Sequence, residues 1–215
     1  MTDRGTSAER TERAGAAKAP ARLLLVRHGQ STWNAEGRWQ GQADPPLSRL
    51  GEAQAESASS SSELDGIEGW WSSDLERARR TATLLAGDRG ARAEPRLRER
   101  HAGDWEGLTR DEIEAGWPGF LAAHERPAGW EHDEPLLERA LAALAEIAAG
   151  AGGRPVGVVT HGGVIRALER RCGAEELPVP NLGGRWVELG EGAPVRLGGR
   201  VLLVDVGQVT VPGQI

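Results

Sequence analysis

The feature that most constrains this chain recurs three times: a short run of apolar residues that breaks at once into a dense polar cassette. Leu23-Leu24-Leu25-Val26 runs into Arg27-His28-Gly29. Ile67 to Trp71 runs into Ser72-Ser73-Asp74-Leu75-Glu76-Arg77, and Val156-Gly157-Val158-Val159 into Thr160-His161-Gly162-Gly163. Runs that are apolar throughout, rather than at alternate positions, belong to strands covered on both faces. Helical patterns fall between them. One starts near Ser48, and another runs from Asp74 as cap to a stop at Gly87. A capping box at Thr109-Arg110-Asp111-Glu112 opens a third. Glu134-Pro135 opens a long one that places Leu136, Ala140, Leu144 and Ile147 on one face and stops at Gly150; Val164 to Arg171 makes the last. Ala91 to Glu94 reads as a short strand, and 185–189 and 201–206 as late hairpin-like strands. The expected architecture is three-layer α/β/α with a mostly parallel central sheet.

Domain organisation follows from composition along the chain. Residues 1–20 contain only Met1 as a large apolar residue and read as a disordered tail. Residues 21–215 read as one domain, with a small cap around 109–135 rich in Trp, Gly, Pro and charge.

The charge balance excludes several functions. Of 215 residues, 26 are basic and 32 acidic, a formal net charge of -6, which is not the footprint of a nucleic-acid binder. No apolar run reaches the roughly 18 residues that cross a bilayer, and the N-terminus has no secretory apolar core. The lone Cys172 forms no internal disulfide and suits a reducing cytoplasm. All but one of the basic residues are arginine, so most are background and a few carry function.

In open α/β sheets ligands bind beyond the carboxyl ends of the strands. If the three strands are parallel neighbours, their cassettes deliver two histidines and two arginines to one edge. Such a pocket is cationic inside an acidic protein and suits a compact anion. Gly29 lets the chain turn after His28, and the Gly162 and Gly163 amides, at a helix start, could face the anion. Phosphate is the natural candidate, because guanidinium forks match its oxygens.

Arg27-His28-Gly29-Gln30-Ser31-Thr32-Trp33-Asn34, then Arg38, Gln40-Gly41 and Pro46-Leu47-Ser48-Arg49-Leu50-Gly51, resembles the signature of the histidine phosphatase (phosphoglycerate-mutase-like) superfamily. The likeness continues through Ser72 to Ala78, Leu97-Arg98-Glu99-Arg100-His101, Gly103-Asp104-Trp105-Glu106-Gly107 and Thr160-His161-Gly162-Gly163. It implies phosphoryl transfer through a phosphohistidine on His28. Arg27, Arg77 and His161 would clamp the non-bridging oxygens, and Glu99 would protonate the leaving group and then activate water. Asn34, Gln40, Gly41 and Gly162 would assist in substrate binding. The resemblance implies no metal and no cofactor, since arginines supply the charge neutralisation.

Each assignment has a plainer competitor. A strand-end histidine can simply satisfy backbone groups. Arg79 and Arg80 compete with Arg77, and Asp74 could pair with any of them. Glu94 and Glu106 compete with Glu99. His101, His124 and His132 lack metal-ligand spacing and read as structural or surface residues. Cys172 reads as a small buried group, and Trp33, Trp39 and Trp105 as core or pocket wall.

The segment between Glu99 and His161 is short, which favours an open site and hydrolysis over phosphoglycerate mutase chemistry. A non-catalytic phospho-ligand binder ranks below both, because Glu99 is present. Where the family usually carries Gly-Glu-Ser, this chain has Glu131-His132-Asp133-Glu134-Pro135. That acidic run would disfavour a highly anionic substrate if it faces the pocket. Trp117, Phe120 and Trp130 could face a sugar or anchor the cap. Within the family, the segments around Glu99 and Trp105 look similar to phosphatases acting on glucosylated phosphoglycerate, and also to broad-specificity acid-type phosphatases. The expected partner is therefore a small phosphorylated metabolite, a sugar phosphate among the candidates. Residues 185–189, 201–206 and Val209–Ile215 could form a homodimer contact.

Overall fold

The computed structural model describes residues 20–190 and 192–212. The expected tail lies almost wholly outside the described residues. Six strands form one sheet: β1 (Ala21–Arg27), β2 (Gly69–Ser72), β3 (Arg92–Ala93), β4 (Val156–Thr160), β5 (Gly183–Leu189) and β6 (Arg196–Leu202). Their order is β3-β2-β4-β1-β5-β6. The first four are parallel; β5 pairs antiparallel with β1, and β6 pairs antiparallel with β5 at the sheet edge. The helices are α1 (Thr32–Ala35), α2 (Arg49–Ala58), α3 (Glu76–Ala86), α4 (Arg110–Gly116), α5 (Asp133–Ala151) and α6 (Gly162–Arg171).

Successive strand residues point to opposite faces, so two cores result. Leu23, Leu25, Val156 and Val158 pack under α5 and α6 with Leu136, Leu144, Ile165 and Leu168. Leu24, Val26, Val159 and Trp70 pack on the other face with Ala78, Ala82 and Leu85 of α3 and Ala58 of α2. Burial on both faces explains why these strands read as unbroken apolar runs.

Several local expectations shift. Strand β2 starts at Gly69 rather than Ile67, and the late strands lie at 183–189 and 196–202. Asp74 does not cap α3; Leu75 holds that position with no side-chain cap bond, because both Asp74 oxygens are taken by Arg98 at 2.7 and 2.6 Å. Helix α5 passes Gly150 and ends where Gly152 turns left-handed. The capping box at Thr109 forms as expected. Cys172 is exposed, because α6 ends there and turns its last residues to solvent.

A third, smaller core lies apart from the sheet. Trp39, Trp105 and Ile113 are buried in it, with Trp117, Phe120, Leu121 and Trp130 packed around them. Trp117 and Phe120 therefore anchor this segment. No helix among the described residues is long and apolar enough to cross a membrane.

Candidate active site

Strand register assembles the site. Arg27 pairs with Thr160 across β1 and β4, and Ser72 with Val159 across β2 and β4. Three polar cassettes therefore leave the sheet at one level. His28 follows β1, His161 is the N-cap of α6, and Arg77 lies in the first turn of α3.

His28 is buried, and its hydrogen bonds fix its tautomer. Nδ1 lies 2.7 Å from the Gly29 carbonyl, which can only accept. Nδ1 therefore carries the proton and Nε2 the lone pair. Arg77 Nε–H points at Nε2 from 3.3 Å, consistent with that assignment. Burial, then the charges of Arg77 and Arg27, hold the ring well below the usual histidine range, so it is neutral at physiological pH. Asn181, from the loop before β5, donates from Nδ2 to the His28 carbonyl at 2.9 Å.

Arg77 is fully buried and uses two of its four terminal N–H donors on loop carbonyls, Ala43 at 2.7 Å and Gly41 at 2.9 Å. Arg27 Nη1 donates to the Val179 carbonyl at 2.7 Å, while its buried Nε has no hydrogen-bond partner among the described residues. Burial pushes Arg27 down to about 9 and Arg77 to about 10, which leaves both charged at neutral pH. The His161 ring stacks edge-on to His28, with centroids 5.1 Å apart. Neither of its nitrogens has a partner among the described residues. Burial, followed by Arg77, His28 and Arg27, keeps it neutral as well. Arg27 Nε and the His161 ring are buried polar groups beside His28, the kind of preorganised group that stabilises an oxyanion, although Arg27 lines the cavity and His161 packs behind His28 without lining it.

Glu99 sits opposite, on a segment with no regular structure. Its oxygens accept from the Arg100 amide at 2.8 Å and the Gly163 amide at 2.9 Å. This corrects one expectation: the Gly163 amide faces a carboxylate of the protein. Gly162 lies against the Arg27 guanidinium, and a Cβ there would stand 3.2 Å from Nη1, so it is Gly163 that lines the cavity. A Cβ on Gly163 would overlap Glu99 Oε1, which explains the second glycine of the pair.

The competitors are otherwise engaged. Glu106 Oε1 accepts from the Gln42 and Ala102 amides, and Glu94 pairs with Arg96. Arg80 pairs with Glu52 on the surface. Gly41 has φ +51° and touches Glu106, so it shapes the turn that offers its carbonyl to Arg77. Gln40 Oε1 accepts from Ser31 Oγ at 2.6 Å, and Asn34 closes the capping box of α1; both line the cavity. Sequence reasoning missed Asn181 and Val179, which enter from a loop far along the chain and carry no local motif. Trp130, expected to face a sugar or anchor the cap, and Arg100, within the Leu97–His101 segment, both line the cavity.

The cavity shares Trp39, Arg100 and Trp130 with an outer chamber that lies beyond them. The acidic run at the start of α5 does not make that chamber repulsive. Both Glu131 oxygens are bound by Arg139, and Asp133 is shared by Arg100 and Arg170 at 2.8–2.9 Å. Burial opposes ionisation of Asp133, but the two arginines outweigh it and hold its carboxyl at about 2. Arg126, stacked over Trp130 at 5.0 Å, pairs with no carboxylate among the described residues, nor does Arg166.

Residues 23–185 match the family model of the histidine phosphatase superfamily (branch 1). A glucosyl-3-phosphoglycerate phosphatase of Mycobacterium tuberculosis is 40% identical over 199 residues, covering 80% of this chain and 87% of the relative. A metal-independent phosphoserine phosphatase of Arabidopsis thaliana is 38% identical over 161 residues, covering 69% of this chain and 67% of its own. The solved structure of a mycobacterial glucosyl-3-phosphoglycerate phosphatase in complex with VO3 superposes with a TM-score of 0.71 at 35% identity, over 86% of this chain and all of the other.

Proposed function

This chain belongs to the histidine phosphatase superfamily, and from that premise we propose how its residues hydrolyse phosphate monoesters and which esters they prefer. The hydrolase activity itself follows from the family and its phosphatase-named relatives. His28 Nε2 is the nucleophile. The observation that carries this is its hydrogen-bonding: a neutral ring whose only basic nitrogen faces the guanidinium cluster. Nε2 attacks phosphorus and the ester P–O bond breaks. Arg27, Arg77 and His161 stabilise the charge on the three non-bridging oxygens. Glu99 in its acid form protonates the departing alkoxide. Its carboxylate then takes a proton from water, which attacks phosphorus, breaks the P–N bond and releases inorganic phosphate. Asn34, Gln40 and the Gly41 turn complete the phosphate pocket, and Gly162 supports Arg27.

The substrate is a small phosphorylated metabolite bearing a second acidic group. Arg126 and Arg166 face the outer chamber without carboxylate partners, and Trp39 and Trp130 offer a flat wall for a sugar. Glucosyl-3-phosphoglycerate, named for its relatives, combines these features, and phosphoserine shares the acidic group. We read the tryptophan-cored segment as a cap over a single catalytic domain, working in a reducing cytoplasm where the exposed Cys172 stays a thiol.

A phosphatase panel tests both statements. Wild type should hydrolyse p-nitrophenyl phosphate in the presence of EDTA, and His28→Ala should not. Carboxylate-bearing phosphoesters should exceed neutral sugar phosphates in kcat/KM by about tenfold, and Arg126→Met should remove about that much, the worth of one charge-assisted hydrogen bond. Loss of turnover in EDTA would overturn the arginine-based mechanism. Equal rates on both substrate classes would overturn the substrate reading. Rapid 2-phosphoglycerate formation from 3-phosphoglycerate with a bisphosphoglycerate primer would favour a mutase.

A further inference from the structure

Glu99 does its work from a segment that no strand or helix holds. Residues 98–101 have no regular secondary structure, so no ladder fixes their carbonyls. Side chains do this instead: Gln42 Nε2 donates to the Glu99 carbonyl at 3.2 Å, and Arg139 makes the larger share of the bonds. Arg139, in the second turn of α5, donates from Nη1 to the carbonyls of Arg96 and Arg98, each at 2.8 Å, and from Nη2 to the carbonyl of Glu99 itself at 2.9 Å. Its Nε and Nη2 also form a two-point pair with Glu131, at 2.8 and 2.7 Å. Glu131 reaches back to the same segment, accepting from the His101 amide at 3.1 Å, and its own amide donates to the His101 carbonyl at 2.9 Å. Three carbonyls leading into Glu99 are thus pinned to one planar group, and His101 beyond it to that group's carboxylate partner.

We propose that the Glu131–Arg139 pair is the positioning device of the proton donor, setting where the Glu99 carboxyl lies relative to the leaving oxygen. This rests on the reading of Glu99 as general acid and base. Arg139 touches neither the substrate pocket nor the reacting atoms, since it does not line the cavity and its hydrogen bonds run to backbone carbonyls and Glu131. The geometry asks for arginine in particular. A planar fork can hold carbonyls on one edge and a carboxylate on the other, whereas an ammonium is a single point. Small displacements of a catalytic group are costly, about 100-fold for an error of about 1 Å.

A positioning role leaves a signature that general loosening does not. Proton donation matters for an alkyl phosphate, whose alkoxide leaves badly, and matters little for p-nitrophenyl phosphate, whose phenolate leaves unaided. Single-turnover phosphoryl transfer should be measured with both esters on Arg139→Lys, Arg139→Met and Glu131→Gln, with Glu99→Gln as reference. The expected result is a loss of about 100-fold with the alkyl ester, against a few-fold with the aryl ester. Arg139→Lys should fall between wild type and Arg139→Met, and vanadate affinity should be unchanged because Arg27 and Arg77 are untouched. Turnover of the aryl ester should then show a burst of nitrophenolate, because the second step still needs Glu99 as base. Equal losses with the two esters in the Arg139 and Glu131 variants, while Glu99→Gln discriminates between them, would overturn the positioning role alone. Failure of Glu99→Gln to discriminate would instead remove the general-acid reading on which the proposal stands. Arg139→Lys and Glu131→Gln keep the comparison informative if Arg139→Met fails to fold.

Discussion

At the scale of single residues, the site works by denying groups their usual partners. His28 is neutral because it is buried beside two guanidinium groups, and its free lone pair is on Nε2 because Nδ1 is spent on Gly29. The same economy of space explains Gly163. A methyl group there would occupy the position of Glu99 Oε1. Gly163→Ala should therefore displace Glu99 and lower kcat on alkyl phosphates by about 100-fold while leaving vanadate binding intact; parallel kinetics and vanadate titration check this. Arg27, His28, Arg77 and His161, the residues proposed to meet the phosphate, were legible in the sequence because each follows the end of an apolar run, which can be seen in one dimension, whereas Glu99 was implied only by the family resemblance. Asn181, Val179 and Arg139 were not legible, because backbone carbonyls and amides are their targets or their means. Any residue from any distant loop can make such a contact.

At the scale of elements, the binding edge is held together by charges from the far side of the molecule. Glu169 of α6 is buried and takes Arg185 of β5 at 2.9 Å and Arg200 of β6 at 2.6 Å. Arg200 also donates to the Leu177 and Pro178 carbonyls, next to the Val179 carbonyl that receives Arg27. Removing Glu169 leaves Arg185 and Arg200, both partly buried, without their carboxylate, so Glu169→Ala should cost about 3 kcal/mol in denaturant unfolding, the low end for a buried pair. A change under about 1 kcal/mol, the scale of exposed pairs, would contradict this. Helices and parallel strands were readable from periodicity, and the α4 capping box from its spacing. The α3 cap was not, because Asp74 satisfies its local pattern equally well as a cap or as a partner for Arg98, and only the fold brings Arg98 near. The acidic run before α5 misled for the same reason: its charges are visible in sequence, while Arg139, Arg100 and Arg170 become their partners only after folding.

At the scale of the whole molecule, burying two neutral histidines makes the fold sensitive to acid. A histidine depressed in the folded state is protonated first in the unfolded chain. Below the unfolded value of about 6.5, each such ring favours unfolding by up to about 1.4 kcal/mol per pH unit. Asp133 acts in a lower window, its contribution present above about 4 and lost as pH falls toward its folded value of about 2. Calorimetry should show Tm falling as pH drops from 7 to 5, with a shallower fall in His161→Asn. A flat Tm over that range would mean that the rings accept protons where they lie. The central claim is tested most directly by trapping the enzyme during turnover of ³²P-labelled p-nitrophenyl phosphate and locating the label. The account predicts label on His28, stable in alkali, lost in acid and absent from His28→Ala. Label elsewhere, or none while His28→Ala still turns over substrate, would contradict it.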